Sequence, residues 1–142
     1  MTGSTSQDGF IYIFRNDRLH NEIKVGLSKN PFKRVMQLYT TATATPMNIS
    51  VIWWVSDMRR AERIAHNRLA DHRINSRREF FLIAPPNDFD EFERMCYDTT
   101  TICLEVLEEL IEGDWASAGI AFGEMDVRKM YEAHLRGEDI GA

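Results

Sequence analysis

Four side chains in the first half of this 142-residue chain could do chemistry together: Tyr12, Lys24, Arg34 and Glu62. Eleven residues separate Tyr12 from Lys24, which opens the triplet Lys24-Val25-Gly26, and Arg34 lies eight places beyond Gly26. A guanidinium is a planar fork that fits two phosphate oxygens, so Arg34 is either a phosphate ligand or a charge on a helix surface. A phenol, with its pKa near about 10, acts as a base only where a neighbouring cation favours its anion. Lys24 could be that cation, or could itself touch a phosphate. The plain alternatives are a tyrosine ring in the core and a solvated strand lysine. Glu62 borders an apolar helical stripe, where a carboxylate wants a cation. A salt bridge to Arg34 or Arg59 would serve, as would Mg²⁺ held by one carboxylate with water and substrate oxygens completing its shell. His66 follows one helical turn later on the same face, placed to orient Glu62, to touch a phosphate or to fill the core.

Elements must bring these residues together. Phe10-Ile11-Tyr12-Ile13-Phe14 is rich in strand formers, Glu22 to Gly26 alternates polar with apolar, and the two read as a hairpin joined by a polar loop. Asn30 and Pro31 suit the cap and first position of a helix running to about Thr40, and Thr41 to Pro46 reads as an exposed loop. Asn48 to Ser56 reads as a central strand buried on both faces. Asp57 should cap a helix with Met58, Ala61, Ala65 and Leu69 turned inward, ending in a turn at residues 72–76. Glu79 to Ile83 reads as a strand stopped by Pro85-Pro86. A long helix opens near Asn87, passes a weak point at Thr99-Thr100-Thr101, and breaks between Gly113 and Gly123; a last helix spans about Glu124 to Leu135, and the tail should fray. Cys96 and Cys103 share one helix and are expected as reduced core thiols. The expected fold is α+β, a small mixed or antiparallel sheet flanked by helices in the order β-β-α-β-α-β-α. The division is a domain over 9–98 and an acidic helical extension over 99–142.

Composition narrows the class. With 44% hydrophobic residues and 27% charged, the chain can bury a sizeable core without a disulfide or metal staple, and no apolar run approaches the roughly 18 residues of a membrane span. The expectation is a cytoplasmic protein. The net charge of −5 divides unevenly: residues 9–86 carry +7, and residues 87–142 carry −11. A basic part followed by an acidic part either faces a polyanion and shields or docks, or simply solvates two faces differently. Lys29, Lys33, Arg59, Arg63 and Arg73 are the candidate contacts to a nucleic-acid backbone, a sequence-blind and salt-sensitive interaction. His20 and His72 read as solvated.

The order of these residues resembles the GIY-YIG nuclease family over roughly Gly9 to Pro86. Phe10-Ile11-Tyr12 stands at the first motif and Lys24-Val25-Gly26 at the second. The likeness is closer to the phage and bacterial branch, which often has Lys in the second motif and a later helix reading Ala-Glu, three residues, then His, here Ala61-Glu62 to His66. Arg73-Ile74-Asn75 and Glu79-Phe80-Phe81 match its closing turn and strand. Phe10 replaces the first glycine, Lys24 the tyrosine, and Leu38 stands where active relatives often have His or Tyr. The resemblance implies a one-metal phosphodiesterase: Tyr12 as general base or water positioner, Lys24 and Arg34 on the phosphate, Glu62 on Mg²⁺ with Mn²⁺ as a substitute, and Asn75 either bonding site groups or only forming a turn. Cutting a phosphodiester needs an activated water and stabilisation of the transition-state charge, which this set could supply.

Three functions follow as expectations. The first is a Mg²⁺-dependent endonuclease acting on duplex or branched DNA. The second is a catalytically inactive DNA-binding module on the same fold. The third is a protein-binding regulatory role in which the acidic helices dock a partner, form a homodimer through Leu104, Leu107 and Ile111, or lie across the basic cleft.

Overall fold

The run from Phe10 to Phe14 lies inside strand β1 (Gly9–Asn16), every residue of which is buried, in a computed structural model that describes residues 7–17, 20–34, 47–73, 80–83 and 97–140. β1 pairs antiparallel with β2 (Glu22–Ser28) and with β3 (Met47–Val55). β4 (Phe80–Leu82) extends the sheet beyond β2, and β5 (Phe122–Glu124) extends it beyond β3. The order is β4-β2-β1-β3-β5, and the fold is α+β as expected. The middle strand is β1; β3 is interior as well, paired on both edges and buried from Val51 to Trp53 and at Val55.

The sheet divides two cores. Ile11 and Ile13 of β1, with Ile23 and Val25 of β2, face α1 (Met58–Arg68) and α2 (Tyr97–Ser117). Phe10, Tyr12 and Phe14 face the opposite way, into a cluster with Phe32, Ile52 and Met130 of α3 (Val127–Leu135). Period-2 alternation along β1 therefore sorts aliphatic side chains to one face and aromatic ones to the other.

α1 starts where expected. The Asp57 carboxylate accepts a hydrogen bond from the Arg60 N–H at 3.2 Å, and Ala61, Ala65 and Leu69 are fully buried. A 3₁₀ turn over Ala70–His72 closes it. α2 departs from expectation at both of its weak points. Thr100 and Thr101 lie in its first turn and bond the Tyr97 carbonyl at 2.9 and 2.8 Å. At the other end the helix runs through Gly113 to Ser117, because Trp115 is buried edge-on against Trp53 at 4.9 Å and donates to the Ala61 carbonyl at 2.9 Å. Packing outweighs the glycine's low helix propensity.

The apolar stripe that invited self-association is spent inside the chain, since Leu104, Leu107 and Ile111 are buried against its own sheet. β5 was not foreseen; three residues are too few to show alternation, and backbone bonds hold them. The last helix begins at Val127 behind an Asp126 cap, and Ile140 of the tail packs on the aromatic cluster rather than fraying. Cys103 is half-buried and free. Cys96, the expected helix over 35–40, the loop 41–46, the turn residues 74–76 and the helical start near Asn87 lie outside the described residues. Among the described residues no helix is long and apolar enough to cross a membrane.

Candidate active site

Tyr12 and Gly26 are direct partners across β1 and β2, and the phenol lies over the glycine. A Cβ built on Gly26 would sit 2.6 Å from the Tyr12 Cζ and closer still to its hydroxyl. No side chain other than hydrogen fits there while the tyrosine holds this position. Lys24 lies two residues away on the same strand face, opposite Phe14. It is 2% exposed, with its ammonium 5.0 Å from the centre of the Phe80 ring, so it is a buried cation rather than a solvated one. Tyr12 is 1% exposed and stacks on Phe14 at 4.1 Å.

The helical turn at 31–34 reaches this face through Phe32, a member of the aromatic cluster. The Asn30 carboxamide oxygen accepts from the N–H groups of Phe32 and Lys33, each at 3.2 Å, and so caps the turn as expected. Arg34 ends the described part of the turn and is half-buried. Tyr12, Lys24, Gly26 and the Arg34 turn therefore share one side of the sheet.

Glu62 and His66 arrive from the other side. α1 begins beside Gly9, where a Cβ would meet Met58, and by His66 it has reached Val25, whose carbonyl is 2.8 Å from the His66 Nε2. The helix thus follows β2 toward Val25, and Glu62 lies midway along that path. Glu62 is half-buried, as its place beside the apolar stripe implied. His66 also packs on Phe81 at 5.2 Å, so its visible work is to fasten α1 to the edge of β2. Among the described residues no three His, Cys, Asp or Glu side chains gather as a metal cage. The donor available is a single carboxylate, which fits an ion such as Mg²⁺ that keeps most of its water.

The expected backbone contacts are on the surface. Arg59, Arg63 and Arg73 are exposed, as are Lys29 and Lys33. Lys29 donates to the Asp8 carbonyl, and the Arg73 guanidinium lies 5.3 Å over Phe81. Asn75 lies outside the described residues. His72 is not simply solvated, since its Nδ1 is 2.8 Å from the Leu82 carbonyl, and His20 packs edge-on to Tyr97.

One feature escaped the sequence. Arg15 is buried at the end of β1, where its guanidinium donates to the His20 carbonyl at 2.8 Å, to Thr101 Oγ1 at 2.7 Å and to the Tyr97 carbonyl at 3.2 Å, with a further bond to Thr100 Oγ1. It also stacks over Tyr97 at 4.2 Å. Beside it opens a cavity of about 310 Å³ lined in part by His20, Asn48, Glu105 and Glu108. Burial, followed by the charges of Glu124, Glu105 and Glu112, pushes the Glu108 carboxyl up to about 7. This cavity lies on the α2 side of the sheet, away from Tyr12.

Residues 9–111 match the family model of the T5orf172 domain. No curated protein and no solved structure matches the chain.

Proposed function

We propose that this chain, which belongs to the T5orf172 domain family, is a metal-dependent endonuclease of the GIY-YIG type that hydrolyses DNA phosphodiester bonds. The family is phage-associated and linked to nuclease-like function, which supports a nuclease or DNA-binding role. The observation that carries the finer reading is the seat of Tyr12 over Gly26, on the face shared with Lys24 and the Arg34 turn. A tyrosine held at a glycine beside a buried ammonium is more than core filling requires.

In this reading the ionised Tyr12 oxygen takes the proton of a water whose oxygen attacks phosphorus, the P–O bond opposite the incoming oxygen breaks, and the leaving oxygen takes a proton from a solvent water. Lys24 favours the ionised phenol, and the Arg34 fork holds two non-bridging oxygens as charge grows on them. Glu62, which packs from the opposite side of the sheet to Tyr12, would hold Mg²⁺, and that ion would supply charge neutralisation to a phosphate reaching round the β2 side of the sheet. Arg59, Arg63, Arg73 and Lys33 supply affinity for the DNA backbone without reading sequence.

Incubating supercoiled plasmid with the wild type and with Glu62→Ala, in EDTA, Mg²⁺ or Mn²⁺ at low salt, tests this. The expected result is nicking that needs the metal and disappears in the variant while DNA binding persists. The burial of Tyr12 and Lys24 favours a second reading, an inactive DNA-binding module. Gel shifts without nicking by the wild type would select it.

A further inference from the structure

Tyr12 is buried in the structure, yet the proposed reaction needs its hydroxyl to meet water and a phosphate. Part of what lies on its face comes from the end of the chain. Met130 of α3 belongs to the same cluster as Tyr12, and Met125, Val127 and Ile140 pack against it. Tyr131 and His134 of α3 pack on Phe32, the first tilted at 5.3 Å and the second stacked at 5.4 Å, two residues before Arg34. All of these lie beyond residue 111, where the family match ends.

The two parts of this segment are held differently. β5 is clipped to the sheet by its pairing with β3 and by flanking backbone bonds, Ser56 N–H to the Ala121 carbonyl at 2.9 Å and Met125 N–H to the Ile52 carbonyl at 2.8 Å. α3 buries only Met130 among its nine residues, and Tyr131 and Leu135 are 47% and 66% exposed. Its own cap, the Asp126 carboxylate accepting from Lys129 N–H at 3.1 Å, stays with the helix wherever the helix goes. A short helix with one buried anchor separates from a sheet far more readily than a paired strand does.

We propose that α3 is an autoinhibitory cover, hinged at Met125-Asp126, which leaves the Tyr12 face when nucleic acid binds while β5 stays clipped in place. The proposal rests on the reading of that face as the active site. Lifting the cover opens the aromatic floor of Phe10, Phe32 and Tyr12 beside the Arg34 turn, so DNA and α3 compete for one surface. Mass action then ties cover position to DNA concentration.

The test uses the full chain with two changes in α3, Met130→Asp and the double substitution Tyr131→Ala with His134→Ala. The double variant alters half-buried and exposed positions and keeps the test available if Met130→Asp fails to fold. Both should nick supercoiled plasmid about tenfold faster than the wild type in Mg²⁺, Met130→Asp because it loses the buried anchor and the double variant because it loses both ring contacts to Phe32. Wild-type α3 amides should also lose hydrogen-exchange protection when duplex DNA is added. Nicking rates equal to the wild type's in a folded variant, or α3 protection that survives DNA binding, would overturn the cover and leave the nuclease reading standing. Neither nicking nor DNA binding by any of the three proteins would remove the nuclease reading, and the cover with it.

Discussion

At Gly26 the missing side chain makes room for the Tyr12 phenol. Gly26→Ala puts a methyl group into the Tyr12 phenol, and the ring must move because the glycine is backbone in a paired strand. The expected outcome is a stability loss of about 1–3 kcal/mol, as for other overpacked cores, together with loss of most nicking activity. Urea denaturation and the plasmid assay check the two parts separately. Glu108 gives a second prediction. Its carboxyl holds its proton to about pH 7 in the folded chain, against 4.5 for an ordinary glutamate, so the folded state binds more protons than the unfolded one between those values. Stability therefore falls as pH rises through that window. Glu108→Gln removes the loss and should stabilise the protein by about 1 kcal/mol at pH 8, after allowance for partial exposure, and leave it unchanged at pH 4. Urea midpoints at the two pH values decide it. The sequence showed Tyr12, Lys24, Arg34 and Glu62 as candidates because spacing survives in one dimension. It could not show that Lys24 is buried, or that Glu124 of β5 adds its charge to those of Glu105 and Glu112 around Glu108, because both depend on which elements cross in space.

Helices and strands with their own periodic signal were legible; those made by distant partners were not. Phe10 to Phe14, residues 47–55 and Asp57 with its helix carry alternation, helical spacing or a cap, and each stands close to where those signals put it. The β5 strand has no such signal, and α2 continues past Gly113 only because Trp115 finds Trp53 and Ala61. The first turn of α2 is the sharper example. Three consecutive threonines are poor helix formers, yet here the hydroxyls of Thr100 and Thr101 and the Tyr97 carbonyl receive the buried Arg15 guanidinium from β1. Arg15→Lys keeps the charge but loses the fork, and should cost about 2 kcal/mol. The loss belongs to one end of the helix. Hydrogen exchange should accelerate over residues 97–101 and remain slow near Ile111 and Trp115; uniform acceleration along α2 would show that Arg15 does not fasten that turn.

Over the whole molecule, charge and topology work in the same direction. The basic excess lies before residue 87 and the acidic excess after it, and one visible meeting of the two is the forked pair from Arg68 to Asp114, at 2.7 and 2.8 Å. Arg59 and Arg63 remain exposed on α1 to meet a backbone of phosphates. DNA affinity should fall steeply as salt rises, and Arg63→Ala should reduce the slope of log K against log salt by about one while weakening all sequences alike. A titration at three salt concentrations with two unrelated duplexes checks both features. The account as a whole turns on the Tyr12 hydroxyl. Tyr12→Phe keeps the ring stacked on Phe14 and seated over Gly26 and removes only the oxygen, so the fold and DNA binding should be retained at a stability cost of about 1 kcal/mol. Single-turnover nicking of supercoiled plasmid by this variant in Mg²⁺ should be slower by about a hundredfold or more, the usual worth of a positioned acid or base. A rate equal to the wild type's would contradict the account, and would leave Tyr12 as a core aromatic.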